Sequence, residues 1–149
     1  AVAAYLDNMR IPVRLACDTH SGWPFVLSLW YLHDAGNLYC ATTDSAKVVE
    51  YLRREPRCAF EVAADDPPYC GVRGQALAEI DPARGEEILR RLLVRYLGGV
   101  DSALARKLLA RGQQEVAIVL QPVNLFTWNY SSRMRGVSAG RGTPCPPET

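Results

Sequence analysis

The sequence has no run of about 20 apolar residues, the length a helix needs to cross a bilayer, so no membrane-spanning helix is expected. It has no excess of charge of one sign, since 17 Lys and Arg stand against 16 Asp and Glu for a net charge of +1. Nonspecific binding to nucleic acid draws on a basic excess that displaces counterions. Nucleic acid is therefore not an expected partner, and any anion site has to be local. Histidine is scarce, with only His20 and His33, and none of the five cysteines (Cys17, Cys40, Cys58, Cys70, Cys145) stands in a CxxC pair. That spacing builds no zinc site, so no metal is expected. There is no P-loop, no GxGxxG and no Ser-His-Asp set, and the sequence assigns no catalytic acid or base. If the chain is an enzyme, a cofactor brings the reacting group.

What is present is ordinary globular material. The 149 residues are 48% hydrophobic and 22% charged, the size and composition of one domain. The first 13 residues are too short and, at Asp7, Asn8 and Arg10, too polar for a signal peptide, which points to a soluble, cytoplasmic protein. Cys17, Cys40, Cys58 and Cys70 lie in segments that read as strands, where a reduced cysteine packs as a small apolar side chain.

The periodicity predicts a short helix over 2–9, strands over 13–19, 24–33 and 38–42, and a helix over 45–55 stopped by Pro56. Strands over 57–63 and 69–80 follow. In the second of these Cys70, Val72, Ala76, Ala78 and Ile80 share one face, Arg73, Gln75 and Glu79 the other, with Gly71 and Gly74 as bend points. Next come a helix capped by Asp81 and ended by Gly98-Gly99, and a second over 102–111 capped by Asp101 and closed by Gly112. The last strand, 115–130, is broken at Pro122. Such a string does not alternate strand and helix, so it does not make a doubly wound sheet. It suits a mostly β class with α: a closed six-stranded antiparallel barrel flanked by helices. Residues 1–135 form the domain, and the Gly-, Pro- and Ser-rich residues 136–149 are expected to be a disordered tail.

Local chemistry concentrates at Thr42-Thr43-Asp44-Ser45-Ala46-Lys47, where a strand runs into a helix N-terminus. Free backbone N–H groups and the helix dipole favour an anion there, and Lys47 in the first turn is unfavourable unless an anion is bound. The alternative is that Asp44 or Ser45 caps the helix and Lys47 points to water. Trp30, Arg73, Gln75 and Trp128 are further candidates to face a cavity, with core packing the alternative for both tryptophans.

The runs Arg14-Leu-Ala-Cys-Asp-Thr-His-Ser-Gly-Trp-Pro24, Leu29-Trp-Tyr-Leu-His33, Leu38-Tyr-Cys-Ala-Thr-Thr-Asp-Ser-Ala-Lys47 and Tyr51-Leu-Arg-Arg-Glu-Pro-Arg57 carry a resemblance. So do Asp66-Pro-Pro-Tyr-Cys-Gly-Val-Arg73, Ala78-Glu-Ile80 and Phe126-Thr-Trp-Asn-Tyr130. In this order the chain resembles the pyridoxamine 5′-phosphate oxidase-like superfamily of FMN-binding split barrels over about residues 10–131. The resemblance implies a homodimer with FMN, or in some branches an 8-hydroxy-5-deazaflavin coenzyme, held between the subunits. It implies a ring-contacting role for Ser28, Leu29 and Trp30, and a phosphate-holding role for Thr42, Ser45 and Lys47, beside which the residues themselves offer the Thr43 hydroxyl. Members often carry a cation where this chain has Phe25, Ala46 and Cys70, so three potential phosphate partners are missing. The implied activity is hydride transfer between flavin and a small conjugated substrate, not vitamin B6 synthesis. A deazaflavin-dependent reductase and a non-catalytic barrel holding haem or another ligand are the competing readings.

Overall fold

The computed structural model describes residues 1–111, 114–137 and 145–147. Along the chain it contains α1 (Val2–Asn8), β1 (Val13–Asp18), β2 (Pro24–Leu29), β3 (Leu32–Asp34), β4 (Asn37–Thr43) and α2 (Lys47–Arg54). After these come β5 (Arg57–Ala63), β6 (Cys70–Asp81), α3 (Gly85–Leu97), α4 (Ala103–Leu109) and β7 (Glu115–Asn129). Neighbouring strands are antiparallel, in one sheet ordered β2-β1-β5-β6-β7-β4-β3.

The expected strand over 24–33 is two strands at opposite margins of that sheet. β2 pairs with β1, whereas β3 pairs with β4. Only Trp30 and Tyr31 link them, so the sheet is not closed by hydrogen bonds, and its margins are joined by this two-residue corner. The six-stranded barrel of the sequence reading is thus a seven-stranded split barrel with helices. The run stays apolar through the corner because its halves bury different surfaces. Phe25, Leu27 and Leu29 pack on the barrel core, while Trp30 and Leu32 pack under α3.

Inside the barrel, Val13 and Leu15 of β1, Phe60 and Val62 of β5, Val72 of β6 and Ile118 of β7 meet Val48, Val49 and Leu52 of α2. On the outside, α3 seats Ile88 and Leu92 against Leu32, Tyr39, Ala117 and Val119, and α4 adds Ala105 against Leu89 and Leu93. The first half of β7 is consequently buried on both faces, with Val116 to Leu120 all in the interior. No helix among the described residues is long and apolar enough to cross a membrane.

One guanidinium ties α1 to the rest. Arg95 donates to the carbonyls of Leu6, Asp7 and Met9 at 2.9, 2.8 and 2.5 Å, closing the exposed carbonyls at the end of α1. Beside it the Tyr96 hydroxyl accepts from the Tyr31 N–H at 3.2 Å and donates to the Ile11 carbonyl at 2.9 Å, and the Tyr31 hydroxyl donates to the Leu6 carbonyl at 2.8 Å.

Several local expectations change. The α4 cap is Ser102 rather than Asp101, because the Ser102 hydroxyl reaches the Ala105 N–H at 3.1 Å. The proposed stop at Gly112 lies outside the described residues. Pro122 does not break β7: it sits opposite Ala76 while Asn124 sits opposite Gln75, so Val123 bulges out and the ladder continues. Cys70 is not a reduced core thiol but is disulfide-bonded to Cys145, with their Cα atoms 5.7 Å apart. Cys70 opens β6 at the end of the sheet, where 145–147 return to within bridging reach. Cys17, Cys40 and Cys58 are free and buried. Of the tail expected over 136–149, residues 138–144 and 148–149 lie outside the described residues.

Candidate functional site

Alternation along a strand sends the Leu15, Phe60 and Val72 side into the core and leaves the neighbours of these residues on the outside. Across that outer face the register makes rows. Ser28, Arg14, Glu61, Arg73 and Phe126 stand opposite one another in turn from β2 through β1, β5 and β6 to β7. Two residues along, the row is Val26, Ala16, Ala59, Gln75 and Asn124. The alanines in its middle make a low floor between taller side chains, and the result is a groove of about 540 Å³ walled by Val26 and Phe126, with Arg14, Glu61, Arg73 and Gln75 at its edges. A second hollow of about 420 Å³ shares Ala16, Ala59 and Gln75 and continues toward Leu77 and Val123. Val26 is 65% exposed and Phe126 55%, which leaves contiguous apolar surface bare.

Arg73 is exposed, and its guanidinium lies 4.6 Å from the centre of the Trp128 ring, an aromatic rather than an acidic partner. Trp128 in turn rests on Gly71, where a Cβ would come within 2.6 Å of the indole ring. The backbone glycine at 71 is therefore a matter of close approach, and so is Gly74, whose missing Cβ makes room for the Asn124 carbonyl and the Phe60 ring. Asn124 Nδ2 donates to Gln75 Oε1 at 2.7 Å, and the Gln75 N–H donates to Asn124 Oδ1 at 3.0 Å, fixing the amide at the groove edge. Arg14 pairs with Asp65 at 3.1 Å.

The other candidate cluster lies where β4 meets α2. Thr42 and Thr43 end β4 opposite Val116 and Glu115. The N-cap of α2 is Ala46, whose own side chain makes no capping hydrogen bond. Asp44 pairs with Arg53 at 2.7 Å. The Lys47 side chain is 72% exposed, and its Nζ lies 3.3 Å from Glu50 Oε2, while Glu50 Oε1 lies 2.6 Å from His20 Nε2. The hydrogen bond with His20, then that from Lys47, holds the Glu50 carboxyl below the usual carboxylate range. Both cations of the corner thus have acidic partners, and an incoming anion has to compete with Glu50 for Lys47.

The ten sequence-predicted residues do not meet at one point. Ser28, Arg73, Gln75 and Trp128 belong to the outer face, and Thr42, Thr43, Ser45 and Lys47 to the α2 corner. Leu29 packs on the core, and Trp30 stacks on Tyr96 with ring centres 5.0 Å apart and planes 6° from parallel. The two polar groups are far apart along the sheet: Thr42 is opposite Val116, whereas Arg73 is opposite Phe126, ten residues further along β7. Sequence reasoning missed Arg14 and Phe126, which become neighbours of Glu61 and Arg73 only through register, and the exposed His20–Glu50 contact. The Lys47–Glu50 pair had a signal, its i,i+3 spacing on a helix.

No protein-family model matches this chain, and no curated protein matches it in sequence. Solved structures do. A conserved hypothetical protein of Mycobacterium tuberculosis superposes with a TM-score of 0.76 at 20% identity, covering 93% of this chain and 89% of its own. An F420 reductase gives a TM-score of 0.65 at 24% identity over 80% of this chain and 92% of its own. A putative pyridoxamine 5′-phosphate oxidase of Listeria innocua gives 0.59 at 20% over 78% and 86%. The fold also occurs in a haem storage protein of Vibrio cholerae and a FAD-binding protein of Mesorhizobium loti, with TM-scores of 0.62 and 0.55. At these identities the likeness establishes the fold.

Proposed function

Because the chain has the split-barrel fold found in pyridoxamine 5′-phosphate oxidase-like proteins, we propose that it is a flavin-dependent oxidoreductase that works as a homodimer with FMN between the subunits. The observation that carries this reading is the outer-face groove: an apolar floor of alanines, aromatic and aliphatic walls, and Arg14, Arg73 and Gln75 at the rim. These residues fit an isoalloxazine ring, whose faces are apolar and whose pyrimidine edge takes hydrogen bonds. They hold no obvious phosphate position, since the α2 corner that offers Thr42, Ser45 and Lys47 lies elsewhere on the chain. A cofactor using both therefore spans two copies, and the bare apolar outer face is the surface a second copy would cover.

A bound flavin supplies the hydride acceptor or donor. The chain's own part is to place it. The groove floor would shield a flavin ring from water, the Gln75 amide fixed by Asn124 would hydrogen-bond it, and Lys47 would give up Glu50 to hold its phosphate. No side chain of this chain is assigned a proton-transfer step, and the substrate is a small conjugated molecule that stacks on the exposed ring face.

The deazaflavin reading has one specific observation in its favour, the 24% identity with an F420 reductase that the match covers over 92% of its length. Haem is disfavoured by the ligand set, because haem iron takes an axial His, Cys, Met or Tyr. His20 and His33 are engaged by Glu50 and Asp7 and line neither hollow, and the cysteines that line the second one, Cys17 and Cys58, are buried thiols whose ionisation burial opposes. Titration with FMN followed by flavin fluorescence, alongside light scattering for mass, tests the proposal. Saturable quenching at one FMN per chain in a dimer supports it. No response to FMN with a response to a deazaflavin selects the second reading, and a Soret band on adding haem with no flavin response overturns both.

A further inference from the structure

We propose that the Cys70–Cys145 disulfide is a thiol-controlled latch that sets the rigidity of the groove wall at Trp128 and Arg73. The bridge joins the first residue of β6 to a segment 75 residues later. That segment, 145–147, docks on the end of β7, where Thr127 Oγ1 donates to the Pro147 carbonyl at 2.6 Å and Asn129 Nδ2 to the Pro146 carbonyl at 3.3 Å. Residues 127 and 129 face the returning segment, so residue 128 between them faces outward. There Trp128 lies on Gly71, the neighbour of Cys70, and supports the Arg73 guanidinium that forms the groove edge. One short piece of sheet is thus held on its inner side by the tail and on its outer side carries the groove wall.

The chemistry suits control more than permanent stapling. Cys70 is 2% exposed, whereas Cys145 is only half-buried, so an incoming thiolate attacks the Cys145 sulfur and Cys70 leaves. With a dithiol reductant, the first thiolate forms a mixed disulfide with Cys145 and the second displaces it. The reductant is oxidised to its own disulfide, and the chain gains two electrons and two protons as two thiols. The remaining cysteines do not interfere, because burial pushes the Cys17 thiol up and the Cys58 thiol up to about 12, and raises Cys40 further still. In a reducing cytosol a disulfide that forms at all is of the transient, redox-sensing kind.

The latch itself rests on the bridge and β7, and only its effect on FMN rests on the functional reading above. Protein purified without reductant and alkylated in denaturant should take up three alkyl groups, and five after dithiothreitol. Five without reductant, persisting after equilibration with oxidised glutathione, overturns the bridge. Hydrogen–deuterium exchange then compares oxidised protein, dithiothreitol-reduced protein and Cys145→Ser. Reduction and the variant should both raise exchange several-fold at 70–73 and 127–129 and leave 116–120 unchanged. Equal exchange in all three overturns the latch, and a global rise at 116–120 in both reduced protein and variant marks a structural staple and overturns it too. FMN affinity at least threefold weaker in both unlatched forms extends the latch to the cofactor. Unchanged affinity alongside raised local exchange overturns the coupling to the groove, and no FMN response in any form refutes the functional reading and leaves the latch to the exchange data.

Discussion

The inner and outer faces of β1, β5 and β6 are made by alternate residues of the same strands, yet they obey different rules. Inside, Leu15, Phe60 and Val72 are buried against α2 and the facing strands, and their identity follows from space. Outside, the same strands set Arg14, Glu61 and Arg73 in a row beside two alanines, between Val26 of β2 and Phe126 of β7, which stay in solvent. Stability does not require that arrangement, since a solvated face is served as well by Lys, Glu and Thr. The contrast teaches that the split barrel's fold and its candidate site are written in one stretch of chain at a period of two, with the core on one parity and the groove on the other.

The comparison can be broken most easily from the inside. Leu15→Ala empties a fully buried position and should cost roughly 3 kcal/mol in urea unfolding. A loss under about 1 kcal/mol would show that the inner face does not hold the fold. Next in size is the alkaline limb of stability. Burial raises the thiols of Cys17, Cys40 and Cys58 and the phenols of Tyr5, Tyr31 and Tyr96. The fold keeps these groups protonated, so their contribution is complete below the ordinary cysteine value of about 8.5 and is lost as pH climbs through the raised values. Urea midpoints should fall steadily above pH 9, and a flat profile to pH 11 would contradict the dry interior.

On the outside the expected effects are on binding. Lys47→Ala should weaken FMN by more than about 1 kcal/mol, beyond what a surface ion pair explains, whereas Glu50→Gln, which frees Lys47, should tighten it. The same sign for both variants would remove the α2 corner from the site. Val26→Ser should change chain stability by no more than about 0.5 kcal/mol while lowering the dimer fraction in light scattering. A large stability loss with intact dimers would mean that this face serves the fold after all. The smallest effect is on the acid side. Glu50 and Glu55 are held below the usual range, Glu50 by His20 first and Glu55 by Arg57. Their contribution is present above the ordinary glutamate value of about 4.3 and is lost as pH falls through the lowered one. Because both lie at the surface, unfolding midpoints at pH 4 and pH 6 should differ little compared with the alkaline limb.

Much of the fold was legible because it rests on local signals. β5 runs over 57–63 as read, and the outward set Arg73, Gln75 and Glu79 follows from alternation alone. The corner at Trp30–Tyr31 was not legible, because an apolar run looks the same whether it stays in one layer or crosses between two. Cys145 hid for a related reason: a tail rich in Gly and Pro gives no period, and a disulfide is a matter of distance rather than spacing. The candidate site was legible in pieces. Lys47, Arg73 and Trp128 stood out individually, but that Arg73 would rest on Trp128, and that Glu50 would occupy Lys47, depends on register and on a histidine 30 residues away.

The clamp made by Arg95 also bears on the order of assembly. During synthesis α1 emerges well before the guanidinium that closes its terminal carbonyls, which is encoded 86 to 89 residues later. At seven residues α1 is too short to persist alone, so it waits as loose chain until α3 has formed beside it. A segment made before β1 is thus among the last to settle, and a nascent chain stalled before residue 95 would carry a foldable hairpin of β1 and β2 but an undocked α1.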